Sequence, residues 1–130
     1  MRHVRLLVLA IIAQFAVLSP ASAAEVRDFD RAAFAAAQSA GRPILVEVKA
    51  WWCPVCASQA STIKKAITAS EYAKLIVFRV NYDTQKDVWQ SFAVTKQGSL
   101  IGFHGTRQSG RLDFVTDKVQ INTLLASTLN

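Results

Sequence analysis

Cysteine is scarce in this chain, with two in 130 residues, at positions 53 and 56. One intrachain bridge is therefore the most it can form. Proline is nearly as scarce, at 20, 43 and 54 only, so no proline interrupts a helix beyond Pro54. Basic residues outnumber acidic ones by 15 to 9, but from Arg27 to Lys118 they are spread without a cluster, which leaves no footprint for nucleic acid. Nor does the start of the chain offer the ~20 apolar residues a helix needs to cross a bilayer. Its apolar stretch, Leu6 to Leu18, is 13 residues long and interrupted by Gln14. Repeats, low-complexity tracts and internal linkers are also absent.

What is present begins with a leader pattern. Arg2 and Arg5 precede the apolar stretch and Ala21-Ser22-Ala23 follows it, the basic start, apolar centre and small residues of a secretory signal peptide. Cleavage after Ala23 is predicted. It would leave residues 24–130 as one exported, periplasmic-type domain with no membrane anchor, and the loss of two arginines lowers the formal charge from +6 to +4. In such a compartment disulfides persist, so the cysteine pair is expected to be oxidised unless a partner reduces it.

The mature chain reads as alternating helices and strands. Asp30 is an N-cap candidate, with Phe29 and Phe34 placed to staple the helix start and Gly41 placed to end it. Pro43–Lys49 (PILVEVK) and Leu75–Asn81 (LIVFRVN) read as central strands. Between them a helix is predicted from Pro54 to about Lys74, with Ala60, Ile63 and Ile67 at helical spacing. A short helix at Thr84–Phe92, strands at Ser99–His104 and Arg111–Thr116 joined through GTRQSG, and a helix at Asp117–Leu129 complete the order αβαβαββα. In the last helix Ile121, Leu124, Leu125 and Leu129 are expected to face inward.

The cysteines sit where the first central strand gives way to a helix, in AWWCPVCAS. A C-x-x-C of this kind serves a zinc half-site, a short structural disulfide or a redox centre; a two-residue loop restrains the unfolded chain little, which weakens the structural role. With Cys53 at the helix N-cap, its sulfur meets unpaired N–H groups and the positive end of the helix dipole, which favour thiolate. Pro54 suits the first helical position. Cys53 is thus predicted to be the exposed nucleophile and Cys56, nearly one turn on, the shielded residue that resolves a mixed disulfide. Glu47 is an acid inside an apolar strand, where burial should raise its pKa into a range useful for proton transfer with Cys56. The bland alternative pairs it with Lys49 on the same face.

Taken together, the strand Ile44–Lys49, Trp52 before the nucleophile, the CPVC motif at the start of a helix, Arg79 and Asn81-Tyr82-Asp83 resemble the thioredoxin superfamily, in its exported thiol–disulfide oxidoreductase branch. The resemblance spans essentially the whole mature chain. It implies an α/β thioredoxin-like fold with a central mixed sheet flanked by helices, and a monomeric enzyme whose cysteines need no cofactor. Its implied partners are cysteine-containing proteins and a protein that supplies or accepts electrons. It places Trp52, Pro54, Gln97 and Gly98 at the substrate-binding surface, with Gly98 where thioredoxins carry a cis-proline. No realignment supplies that proline, and Gly98 is expected in a trans or remodelled, more mobile loop, leaving the sulfurs open to soft metals. Val55 in place of the histidine of strongly oxidising relatives, with Glu47 resembling the acid of reducing ones, implies a reductant.

A second reading makes the chain a carrier of copper or zinc, bound by both cysteines and a third ligand. His104 is the only histidine beyond the leader, and nothing in the sequence brings it near the cysteines. Trp51 and Trp52 are candidates for a docking surface, whereas Trp89 reads as a core residue of the short helix.

Overall fold

The structure, a computed structural model, describes residues 23–130; apart from Ala23, the predicted leader lies outside the described residues. Five strands form one mixed sheet in the order β1-β3-β2-β4-β5: β1 (Glu25–Asp28), β2 (Pro43–Lys49), β3 (Ile76–Asn81), β4 (Ser99–His104) and β5 (Arg107–Asp113). The first three run parallel, β4 runs antiparallel to β2, and β5 runs antiparallel to β4. The helices are α1 (Arg31–Ser39), α2 (Pro54–Ala66), α3 (Lys86–Ser91) and α4 (Lys118–Ser127). None of the described helices is long and apolar enough to cross a membrane.

Alternation along the strands divides the core between the two faces of the sheet. Ile44, Val46 and Val48 of β2 join Phe78, Ile101 and Phe103 beneath α1 and α3, whereas Leu45, Val77 and Leu100 join Ile63, Ile121 and Leu125 beneath α2 and α4. Both faces are covered, which is why β2 is apolar at every position but Glu47 and its terminal Lys49.

The local signals around α1 act as expected. Asp30 accepts from Ala33 N–H at 2.8 Å, and the Phe29 and Phe34 rings lie 5.4 Å apart. At the other end Gly41 takes φ +68°, and Arg42 N–H and Gly41 N–H donate to Ala37 O and Gln38 O. These crossed bonds form a Schellman motif that only a residue at ease in the left-handed region closes cheaply.

Three elements differ from the sequence reading. A further strand, β1, precedes α1 and pairs in parallel with β3 at one edge. The helix predicted to reach Lys74 ends at Ala66: Thr68 Oγ1 donates back to Lys65 O at 2.8 Å, and a single 3₁₀ turn at Ser70–Tyr72 leads into β3. At the other edge GTRQSG is mostly strand, since His104 already pairs with Arg107 and only Gly105 and Thr106 make the turn. The edges themselves are unlike: β1 has four residues, and β5, RQSGRLD, is partly or fully exposed at every position.

Candidate active site

The C-terminal end of β2, the start of β4 and the end of β5 lie together, because Val48 pairs with Ser99 and Ser99 with Asp113. The cysteine motif follows β2, Gly98 precedes β4 and Phe114 follows β5, so all three converge on one end of the sheet.

Cys53 is the N-cap of α2, with extended backbone, and Pro54 is the first helical residue. Cys56 N–H donates to Cys53 Sγ at 3.1 Å. This is an N-cap hydrogen bond with sulfur as the acceptor, and it meets charge on that sulfur with a helix donor. Both cysteines are free thiols. Both are also buried: Cys53 is 3% exposed and Cys56 1%. Cys53 therefore departs from the exposed position expected of it, because Ala50, Val55 and Tyr82 pack around the pair. Burial pushes the Cys56 thiol up to about 12, helped by its hydrogen bond to Cys53 and by the charges of Cys53 and Glu47, against a backbone hydrogen bond at Ala50.

Glu47 is 1% exposed. Burial raises its pKa, opposed by the charges of Lys49 and Arg79. Its contact is with Arg79, opposite it in the parallel β2–β3 pairing, where Nε lies 3.4 Å from Oε2. The same-strand contact with Lys49 weighed from sequence is replaced by this cross-strand one. Glu47 Oε1 has no hydrogen-bond partner among the described residues, and a cavity of about 290 Å³ opens beside it, lined also by Ala60, Ile63, Lys64 and Arg79.

Trp52 Nε1 donates to both oxygens of Asp83, at 3.2 and 3.1 Å. Asp83 is held in turn by Asn81, whose Oδ1 accepts from Asp83 N–H and Thr84 N–H. That turn is the structural content of the N-Y-D stretch. Tyr82 meets Trp52 edge-on at 6.4 Å and stacks on Trp89 at 4.9 Å. Trp89 is buried, as predicted, while Trp51 and Trp52 are exposed.

Of the other residues placed at the substrate surface, Pro54 is exposed, Gln97 half-buried and Gly98 buried. No peptide bond among the described residues is cis. Gly98 adopts φ +84°, its N–H donates to Val48 O at 2.8 Å, and its carbonyl accepts from Phe114 N–H at 2.8 Å and Gln59 Nε2 at 2.9 Å. The loop predicted to be mobile is thus tied through both polar groups of this residue. Its left-handed φ lets the chain turn back onto Val48 without a cis bond.

Gln59 and Phe114 escaped the sequence reading. Gln59 is a polar residue at helical spacing whose total burial follows only from the loops that close over it. Phe114 is one aromatic in a strand-like stretch, and its φ of +60° has no sequence signal. His104 lies at the far end of β4, paired with Pro43, its Nδ1 2.8 Å from Thr128 O. Among the described residues no group of three histidine, cysteine or acidic side chains is placed to hold a metal.

The thioredoxin family model matches residues 25–127. Among solved structures, a protein titled Trxlp from Edwardsiella tarda EIB202 is 36% identical, with a TM-score of 0.74, over 78% of this chain and 98% of its own. Malassezia sympodialis thioredoxin (Mala s 13) shares 13% identity with a TM-score of 0.70, over 83% of this chain and 95% of its own. Arabidopsis thaliana thioredoxin O2 shares 19% with a TM-score of 0.66, over 84% and 96%; these last two likenesses concern the fold alone. No curated protein matches the chain. Family model, a 36% identical relative and a cysteine pair capping the second helix agree, and the chain belongs to the thioredoxin family.

Proposed function

We propose that the protein is an exported thiol–disulfide oxidoreductase that reduces disulfides of other proteins through Cys53 and Cys56. The observation that carries this reading is the N-cap geometry, in which the Cys53 sulfur accepts the Cys56 N–H while Cys56 sits one turn inside the same helix. In the first step the Cys53 thiolate attacks one sulfur of the partner disulfide. A Cys53–partner bond forms, the partner S–S bond breaks, and the departing sulfur leaves as a thiolate that takes a proton from solvent. In the second, Cys56 gives up its proton and attacks Cys53 Sγ. The Cys53–Cys56 bond forms and the second partner sulfur is released. The partner gains two electrons, and a donor dithiol protein must return them to the cysteine pair.

Cys56 is the costly participant, since its thiol holds its proton up to about 12. Glu47, buried, close enough for its charge to act on Cys56 and with one oxygen that has no partner among the described residues, is the group suited to receive that proton. Val55 in place of the histidine of strongly oxidising relatives, with Glu47 resembling the acid of reducing ones, favours reduction over oxidation. The leader pattern at 1–23 supports export, and the exposed Trp51 and Trp52 flanking Cys53 support polypeptide substrates.

The test is reduction of insulin by the mature chain with a dithiol donor, run beside calorimetric titration with Cu(I) and Zn(II). Turnover that disappears in Cys53→Ser is expected. Tight metal binding through both cysteines with no turnover would make the protein a metal carrier instead.

A further inference from the structure

Every exposed aromatic side chain larger than histidine among the described residues that stands out as a large hydrophobic group lies at the cysteine end of the sheet: Trp51, Trp52 and Phe114. Phe114 is the unusual one. It has φ +60°, a conformation unfavourable for a bulky side chain, yet the surrounding bonds enforce it. Phe114 N–H donates to Gly98 O, and Gln59 Nε2 donates at 2.9 Å both to Gly98 O and to Val115 O, on either side of the ring's backbone. Two carbonyl acceptors fix which end of the Gln59 amide faces them. Its oxygen is left buried with no hydrogen-bond partner among the described residues, a desolvation cost that accompanies the fixing of this loop.

The strain holds the ring over Gly98 and beside the motif. A Cβ built on Gly98 would lie 3.0 Å from Phe114 Cδ2 and 3.4 Å from Val55 Cγ1, so both side chains border the space that Gly98 leaves. Lys96 Nζ stands 3.8 Å from the centre of the Phe114 ring. Val55 also packs against the buried sulfurs. Val55 thus borders both the cysteine pair and the space over Gly98, and Phe114 borders that space from the other side.

We infer that Phe114 is a specificity-determining residue, selecting polypeptide disulfides whose reacting cysteine is flanked by an apolar side chain, and that Gln59 is its positioning residue. The inference rests on the oxidoreductase reading. A neighbouring leucine gains apolar contact with the ring and Val55, whereas a serine gains none and keeps a hydroxyl desolvated. One apolar group in such a contact distinguishes substrates by about tenfold.

Two peptide disulfides, identical but for leucine or serine beside the reacting cysteine, test this through the ratio of their kcat/KM values. The wild-type ratio is expected near ~10 and the Phe114→Gly ratio near one, carried by KM; Phe114→Leu, which restores apolar bulk, should recover part of it. Gln59→Leu should lower the ratio while its melting temperature is followed separately, since a purely structural glutamine would change stability and leave the ratio alone. An equal ratio in wild type and Phe114→Gly, or none in wild type, overturns the inference while leaving the redox reading intact. Failure of the wild type to reduce either peptide or hydroxyethyl disulfide overturns both.

Discussion

Glu47 and Arg79 face each other across neighbouring parallel strands, 3.4 Å apart, with the carboxylate buried and the guanidinium side chain 44% exposed. The pair is too lopsided to neutralise itself fully. Burial dominates and the acid's pKa is raised.

A raised carboxylate pKa has a definite sign. The folded protein holds its Glu47 proton above the unfolded value of 4.5, so Glu47 costs nothing below that pH and reduces stability progressively as pH rises through the folded pKa. Urea unfolding should therefore show wild type losing ground to Glu47→Gln between pH 4 and pH 8. In stopped-flow assays the same variant should slow resolution of the mixed disulfide by about a hundredfold, as loss of an acid–base group does, with the first attack little changed. An unchanged resolution rate would return Glu47 to a structural role.

The two thiols should differ sharply in reactivity. With its thiol held up to about 12 against an ordinary 9.0, Cys56 carries roughly a thousandfold less thiolate near pH 8 than an ordinary cysteine. Iodoacetamide should label Cys53 first in the reduced protein. Cys56→Ser should accumulate mixed disulfides with partner proteins, and Cys53→Ser should not; equal trapping by both would contradict the division of roles.

Stability of the reduced form should fall as pH rises above about 9, because the unfolded Cys56 ionises there while the folded one stays protonated until about 12. The oxidised protein has no such thiol to titrate. Thermal melts of the two forms between pH 7 and pH 10 should diverge on the alkaline side as the reduced form alone loses stability, and a gap that does not change with pH would show that burial does not govern this thiol.

Replacing Gly98 with proline should not restore a typical family loop. Proline cannot adopt φ +84° and lacks the N–H that Gly98 donates to Val48 O. A loss of ~3 kcal/mol or more is expected in urea unfolding. Gly98→Ala should lose less, about 1–2 kcal/mol from its left-handed backbone, with further cost from the 3.0 Å approach of the new Cβ to Phe114. A stabilised Gly98→Pro would mean the loop is remodelled in solution.

The sequence carried the parts of the fold that rest on strong local patterns. Asp30, the Phe29–Phe34 staple, Gly41 and the apolar run of β2 each have one dominant physical outcome, and the structure has it. What escaped was set by partners remote in the chain. β1 offers one apolar residue, Val26, in four and exists by pairing with β3. The early start of β5 depends on a two-residue turn and on pairing with β4, while its polar composition reads as loop. At the site, the positions of Cys53, Cys56, Glu47 and Trp52 were legible because they follow from the strand-to-helix junction, whereas the burial of Cys53 was not, since Tyr82 packs on the pair from a different part of the chain. Gln59 and Phe114 were not, since their roles arise from hydrogen bonds 39 and 56 residues along the chain for the glutamine and a backbone angle for the phenylalanine.

The unlike edges of the sheet bear on how the molecule behaves among its own copies. An open strand is a template on which a second chain can add hydrogen bonds and start a fibre. β1 provides only four residues of such a template, and β5 lines its own with Arg107, Arg111 and Asp113. A copy approaching either flank runs out of ladder or must strip water from charged side chains, so the growth of stacked sheets is discouraged by the same two strands that close the fold.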